Sequence, residues 1–316
     1  MHVSPYEDVH SAEWDQLVSQ SVNGTFLHSR RFIGYHKNRF DDESLLIRDA
    51  SGKLVGALPA ARSPNDPLLV ISHPGLTYGG LVRAHELYGG RVLDALESCA
   101  QWYRDAGFRK FQYKPVPAIY HRIPAEDDIY ALFRIGARAW RTDLCAAIDC
   151  RQRGPMSRNR RTGIKRAASS GVEISRDPAH MEALWAILER QLEERHGVRP
   201  VHTWDEICML RDLFPAHVSC MTGLSKGRVI AGLVLFHTPS VTRAQYSAAD
   251  PEAREISALD LVFETAISES VDRGIRYFDF GNSNEDNGSV LNEGLYRYKV
   301  GLGAGGVAQQ FYEMAL

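Results

Sequence analysis

The chain has 316 residues, 44% apolar and 24% charged, with 26 Gly and 14 Pro, which excludes a disordered or fibrous polypeptide and suits two folded units. Thirty-seven basic residues against 39 acidic ones leave a formal charge of −2, so the surface as a whole is no nucleic-acid or membrane glove and any anion site must be local. The opening Met1-His2-Val3-Ser4-Pro5 lacks the pattern of a secretory leader, and the longest strongly apolar run, residues 229–236, is far below the roughly 20 residues of a membrane span. Five cysteines, Cys99, Cys145, Cys150, Cys208 and Cys220, form no CxxC pair and no zinc set, which predicts reduced thiols, a cytoplasmic protein and no metal.

In chain order, residues 11–20 and 29–38 read as short helices around an extended Gly24-Thr25-Phe26-Leu27. A strand-turn-strand follows at residues 44–56, then an apolar periodic stretch, Gly107 at a helix C′ position and a short aromatic strand ending at Tyr113. The second half repeats this order. Laying Gly107 on Gly274, an offset of 167, puts Glu97 on Glu264, Asp105 on Asp272, Arg109 on Arg276 and Phe111 on Phe278. Laying Gly52 on Gly227 aligns the two strand-turn-strands at an offset of 175, so the second copy lacks about eight residues of connector. Between the copies, residues 157–170 read helical up to Gly171, Asp177-Pro178 opens a helix closed by Gly197, and Thr203-Trp204-Asp205-Glu206 is a capping box. Hairpins that precede a helix and a further strand predict an α+β chain, divided into residues 1–125 and 126–316.

Familiar cofactor and nucleophile signatures are missing. There is no GxSxG, HExxH or GxxxxGK[ST], and the glycine-rich 301–306 stretch is followed by too few residues to build a dinucleotide-binding unit. Three segments do carry chemistry. Residues 151–166 hold seven basic residues and no acid, and on a helix Arg158, Arg161 and Lys165 form one stripe able to meet phosphate oxygens; a merely solvated face is the plainer alternative. Residues 246–260 pass from a strand through Asp250-Pro251 into a helix start at Ser257, with Asp260 completing a capping-box-like signal, so Arg254, Glu255, Ile256, Ser257 and Ala258 are candidates to hold a pyrophosphate. In residues 277–303, Asp279 alternates with Phe278 and Phe280 and should point away from the face they pack on. Asn282, Asn292, Glu293 and Lys299 follow in a polar loop and helix, a pocket for an acceptor or, more plainly, turn chemistry on a solvated helix.

The two-copy layout, Met156-Ser157-Arg158-Asn159-Arg160-Arg161, the 73–80 segment His-Pro-Gly-Leu-Thr-Tyr-Gly-Gly and above all Tyr277-Phe278-Asp279-Phe280-Gly281 with Asn292-Glu293-Gly294-Leu295-Tyr296-Arg297-Tyr298-Lys299 resemble the FemAB-like and BioF-like acyltransferases of the GNAT superfamily. That resemblance implies two tandem GNAT-like units, each a mixed, mainly antiparallel sheet flanked by helices, and transfer of an acyl or aminoacyl group to an amine of cell-envelope precursors. Where many acetyl-CoA-dependent members carry a Q/R-x-x-G-x-G/A turn, this chain reads Glu252-Ala253-Arg254-Glu255-Ile256-Ser257, which keeps an aminoacyl-tRNA donor, as FemX-type members use, open.

The expected activity is N-acylation of a nucleotide-linked amino sugar from acyl-CoA, a co-substrate and not a tightly bound cofactor, in surface-polysaccharide or cell-envelope synthesis. The alternatives are a Fem-like aminoacyltransferase whose basic segment touches tRNA and a catalytically silent GNAT-like binding module. Because the amine must lose a proton as it attacks, Asp279 and Glu293 are the candidate bases and Tyr246 the candidate acid. Arg158, Arg161, Lys299, Asn282 and Asn292 are expected to hold the acceptor.

Overall fold

The computed structural model describes residues 1–316, apart from the side chain of His196. The chain forms two compact units, one of Met1–Asp143 with Ala308–Leu316, the other of Leu144–Val307. This division lies beyond the sequence boundary after residue 125. The helix at Asp127–Arg134 stays with the first unit because its Ala131 and Leu132 are buried in that unit's core.

The first unit contains β1 (His2–Pro5), α1 (Ser11–Gln20), α2 (Arg30–Ile33), β2 (Leu45–Arg48), β3 (Leu54–Leu58), β4 (Ala61–Ser63), β5 (Asp66–Ile71), β6 (Val82–Arg83), α3 (Gly90–Asp105), β7 (Lys110–Tyr113) and α4 (Asp127–Arg134). Strands β1, β2, β3 and β6 make one antiparallel sheet. In a second sheet β5 lies antiparallel to β4 and parallel to β7. Gly107 at φ 89 ends the helical turn after α3, a left-handed position where glycine meets no steric penalty.

Strand β8 (Arg138–Asp149) leads into the second unit, which continues with α5 (Arg158–Ser169), β9 (Glu173–Ser175), α6 (Met181–His196), α7 (Trp204–Leu213), β10 (Val218–Ser225), β11 (Arg228–His237), β12 (Val241–Ala249), α8 (Pro251–Ile256), α9 (Ala258–Asp272), β13 (Tyr277–Asn282), β14 (Asn284–Glu285), β15 (Val290–Leu291) and α10 (Glu293–Gly301). The last strand, β16 (Gly305–Ala315), pairs antiparallel with β7, Tyr312 opposite Tyr113.

In the second unit the strand order is β8, β13, β12, β11, β10, β9, antiparallel except where β12 meets β13. Helix α9 covers one face. Its Val262, Phe263, Ala266 and Ile267 pack with Met221, Leu233, Leu235 and Phe278 in a single core. Helix α6 covers the other face so closely that a Cβ on Gly232 would lie 2.9 Å from Leu184 Cδ1. Asp177 Oδ1 accepts from Ala179 N at 2.9 Å and so caps a 3-10 turn, Pro178–His180, that leads into α6, and Gly197 closes the helix at φ 63. The Thr203–Glu206 capping box opens α7 as its sequence predicts.

Candidate active site

Strands β12 and β13 run together for three residues only, from Val241 opposite Tyr277 to Arg243 opposite Asp279. Beyond that point β12 continues along β11 to Ala249, while β13 shifts register and meets β8, Asn282 opposite Cys145. The two parallel strands therefore part at their C-terminal ends. That end of a parallel pair is where open α/β sheets leave a crevice for ligands.

The alternation predicted for β13 is seen in its contacts. Phe278 and Phe280 stack against Phe263 of α9 with centroids 6.2 and 5.2 Å apart, which sends Asp279 to the opposite face. There Asp279, 2% exposed, accepts from Arg243 Nη1 at 2.5 Å through Oδ2 and from Gly281 N at 2.7 Å through Oδ1. Gly281 has φ +72, and a Cβ there would come within 2.9 Å of Arg243 Nη2. Both the backbone conformation and the close approach of the guanidinium require glycine.

Lys299 reaches this fork from α10. Its ammonium donates to Gly281 O at 3.0 Å, Asn282 O at 2.5 Å and Ser283 Oγ at 2.9 Å, one acceptor for each of its three hydrogens. Burial pushes its pKa down to about 8, against the pull of Cys145 and Asp279. On the other side Arg243 Nε donates to Gln245 Oε1 at 3.1 Å. Next on β12, the Tyr246 hydroxyl lies 2.5 Å from His202 Nδ1 and accepts from the His202 backbone N–H at 3.3 Å, with the Trp185 ring edge-on at 5.2 Å. Burial pushes the Tyr246 phenol up to about 12, offset in part by hydrogen bonds from the His202 backbone and Gln245.

A continuous line of polar groups thus runs Lys299, Gly281, Asp279, Arg243, Gln245, Tyr246, His202. It gathers three sequence candidates, Asp279, Lys299 and Tyr246, with the backbone of Asn282. Arg243, Gln245, His202 and Ser283 are absent from the sequence expectations. The spacing of Arg243 and Gln245, two apart on a strand that reaches Tyr246, was the one available signal; His202 stood as a lone histidine before a capping box.

The remaining candidates lie outside this line of groups, Asn292 next to its end, where its backbone N–H donates to Ser283 O at 2.8 Å. Asn292 caps α10, its Oδ1 accepting from Leu295 N at 2.9 Å and its Nδ2 donating to Glu285 Oε1 at 2.8 Å. Glu293 is exposed in the first turn of that helix, where its charge complements the dipole. At the strand-to-helix passage, the capping box expected from Ser257 and Asp260 does not form. Asp250 caps instead, accepting from Ala253 N at 2.9 Å, with Pro251 at the first helical position. Arg254, Glu255 and Ile256 lie in α8, Ser257 turns the chain at φ 62 without capping, and Ala258 begins α9.

The reason lies with Asp260. Arg160 Nη1 donates to its two oxygens at 2.7 and 2.9 Å and the Tyr298 hydroxyl donates to it at 2.9 Å, so its carboxylate faces α5 and α10 and not the helix start. Arg153 likewise holds Glu264, at 3.0 and 2.7 Å, and donates to Leu302 O. Two of the seven basic residues in the 151–166 segment therefore fasten it to α9, Arg153 from the loop before α5 and Arg160 from α5 itself. Arg158 and Arg161 lie exposed on α5 with Lys165, Arg161 donating to Met156 O at 2.6 Å.

Among the described residues, no group of three His, Cys, Asp or Glu side chains could hold a metal ion, and no helix is long and apolar enough to cross a membrane. Residues 152–300 match the family described as acetyltransferase (GNAT) domain. Over its whole length the chain is similar to the crystal structure of FemX, 12% identical, covering 100% of this chain and 98% of that one with a TM-score of 0.71. Residues 152–300 are a GNAT acetyltransferase domain. Other structures similar to this GNAT protein include the C-terminal domain of a putative lysylphosphatidylglycerol synthetase from Agrobacterium fabrum, 13% identical, covering 96% of this chain and 92% of that one, TM-score 0.63. A tandem GNAT protein from the clavulanic acid biosynthesis pathway is 11% identical, covering 99% of this chain and 98% of that one, TM-score 0.53. No curated protein matches the chain by sequence. The FemAB-like resemblance and the tandem α+β expectation are borne out by these matches.

Proposed function

We propose that this GNAT protein acylates the amine of a nucleotide-linked amino sugar from acyl-CoA, in the cytoplasm, for surface-polysaccharide or cell-envelope synthesis. The observation that carries the reading is the fork between β12 and β13. Past Arg243, β12 loses its pairing to β13, and backbone N–H and C=O groups along such a strand edge suit an extended, amide-containing arm such as that of a coenzyme A thioester. The fork's mouth carries a phenol and an ion pair at the height where a carbonyl would be attacked. Tyr246 exchanges a proton with the reacting groups, while Asp279 acts through Arg243 and Gly281 to hold the fork's shape. Lys299 keeps the Gly281–Ser283 backbone in place beneath the acceptor, with Asn282, Asn292 and Glu293 on its rim. Arg158 and Arg161 take acceptor phosphates, and residues 254–258 the donor pyrophosphate.

A Fem-like aminoacyl transfer from charged tRNA is the second reading, favoured by the whole-chain likeness to FemX and by the exposed Arg158, Arg161 and Lys165 stripe. One assay separates the two. Thiol release from short- and long-chain acyl-CoAs with nucleotide-linked amino sugars supports the first. Its absence with every pair, together with amine acylation from charged tRNA, overturns the first in favour of the second. Salt adds a check, since RNA contacts lose affinity steeply between about 50 and 200 mM and a single coenzyme A site much less.

A further inference from the structure

Tyr246 and His202 share a short hydrogen bond between Oη and Nδ1. The His202 backbone N–H already donates to Tyr246 Oη at 3.3 Å, so one acceptor site on the phenol oxygen is taken by the same residue. The phenol can then direct its own hydrogen to His202 Nδ1, 2.5 Å away. In that arrangement the imidazole is the Nε2–H tautomer, with Nδ1 as acceptor. The Trp185 ring packs edge-on against Tyr246 and the Phe236 ring lies 6.5 Å from the imidazole, so the pair sits between aromatic walls. The charged groups that act on the phenol from neighbouring elements are Glu206 of α7 and Arg243 of β12.

We propose that His202 is the proton sink of the transfer reaction, taking the Tyr246 hydroxyl proton at Nδ1 while Tyr246 Oη takes one from the acceptor amine. This rests on the proposed acyl transfer at the β12–β13 fork, yet it holds for a thioester or an aminoacyl ester alike. An amine N–H bond breaks and an O–H bond forms at Tyr246. The original phenolic O–H breaks and an N–H forms at Nδ1. The lone pair of the neutral amine makes the C–N bond as that N–H breaks, and the leaving thiolate or alkoxide departs with the electrons of the broken acyl bond and takes one proton back from the imidazolium through Tyr246. Tyr246 thereby becomes a relay as well as a donor, and the requirement for a carboxylate base falls away.

The first test needs no substrate. Long-range nitrogen–proton NMR of the intact protein with labelled imidazole rings should show His202 at neutral pH as the Nε2–H tautomer with a hydrogen-bonded Nδ1, and Tyr246→Phe should remove that hydrogen bond without changing the fold. An Nδ1–H tautomer in the unsubstituted protein overturns the proposal, because that nitrogen cannot then receive the proton. The second test is kinetic, with whichever donor, acyl-CoA or charged tRNA, gives turnover. His202→Asn keeps a side-chain amide near Nδ1 but cannot ionise. It should lower kcat by about 10²–10⁴ with KM little changed and abolish the acidic limb of the pH profile. Tyr246→Phe should do the same, and the double variant should be no slower than either single one, as for groups that act as a unit. A folded His202→Asn protein with kcat within about twofold of the original and an unchanged acidic limb overturns the relay while leaving the proposed reaction intact.

Discussion

Arg243 Nη1 lies 2.5 Å from Asp279 Oδ2, and these two residues are also the last register pair before β12 and β13 separate. The ion pair closes the base of the fork with side chains that are 15% and 2% exposed. Asp279→Leu should leave a guanidinium without its main partner and cost about 3–5 kcal/mol in urea unfolding, and pairing it with Arg243→Met should recover much of that loss. If Asp279 instead served as a free base, Asp279→Asn would lower kcat by about 10²–10⁴ with stability intact, so measuring both quantities on one preparation discriminates the roles.

The basic segment separates by partner. Arg158→Ala with Arg161→Ala removes exposed charges, so affinity for a phosphate-bearing donor or acceptor should fall at least roughly tenfold while the melting temperature barely moves. Arg160→Ala should do the reverse, because it strips Asp260, a carboxylate 4% exposed, of its ion pair. Calorimetric titration and thermal unfolding of the two variants give opposite patterns if this division is right.

Gly163 is a helix-interior glycine, where alanine would ordinarily gain about 1 kcal/mol. Here a Cβ would stand 2.5 Å from Asp260 Oδ2 and 3.0 Å from Ser257 Cβ. Gly163→Ala should therefore destabilise the protein, by about 1–3 kcal/mol, the usual cost of overpacking. A gain in denaturation midpoint would show that α5 can move away from α9.

In the first unit, burial pushes the Asp128 carboxyl up to about 6, although it accepts from the Tyr113 hydroxyl at 2.7 Å. A carboxyl raised above its unfolded value binds more protons folded than unfolded between pH 4 and 6, so its contribution falls as pH rises through that window. The change is of the order of 3 kcal/mol. Asp128→Asn should flatten this part of the stability curve. Chemical denaturation of both proteins at pH 4.5 and 7.5 measures it, and parallel curves would assign no titration to Asp128.

Local chemistry made much of the fold legible. The offset alignment of Gly107 with Gly274 matches two left-handed residues, at φ 89 and 70, that follow α3 and α9 and precede β7 and β13, and Gly52 and Gly227 share a turn role at φ 85 and 76. Proline and capping signals marked α6 and α7 because they act within one helical turn. What sequence could not supply were partners far along the chain. Arg160 finds Asp260 100 residues away and Arg153 finds Glu264 111 away, and nothing near either arginine distinguishes it from the exposed Arg158. Ser257 was misassigned as a cap for the same reason, its companion Asp260 being claimed from α5. In the fork, Asp279 could be placed on a face by alternation, but Arg243 opposite it depends on strand register, which no local pattern states.

Residues 308–316 belong to the first unit, and β16 brings Tyr312 and Met314 into that unit's core while pairing with β7. Synthesis delivers those residues about 200 positions after β7, on the order of 10–40 s later at ordinary elongation rates. During that interval β7 has only β5 beside it, and Phe111 and Tyr113 wait without the side chains that finally pack there. The unit made first is the one completed last, and a chaperone that shields nascent chains would meet its unfinished edge.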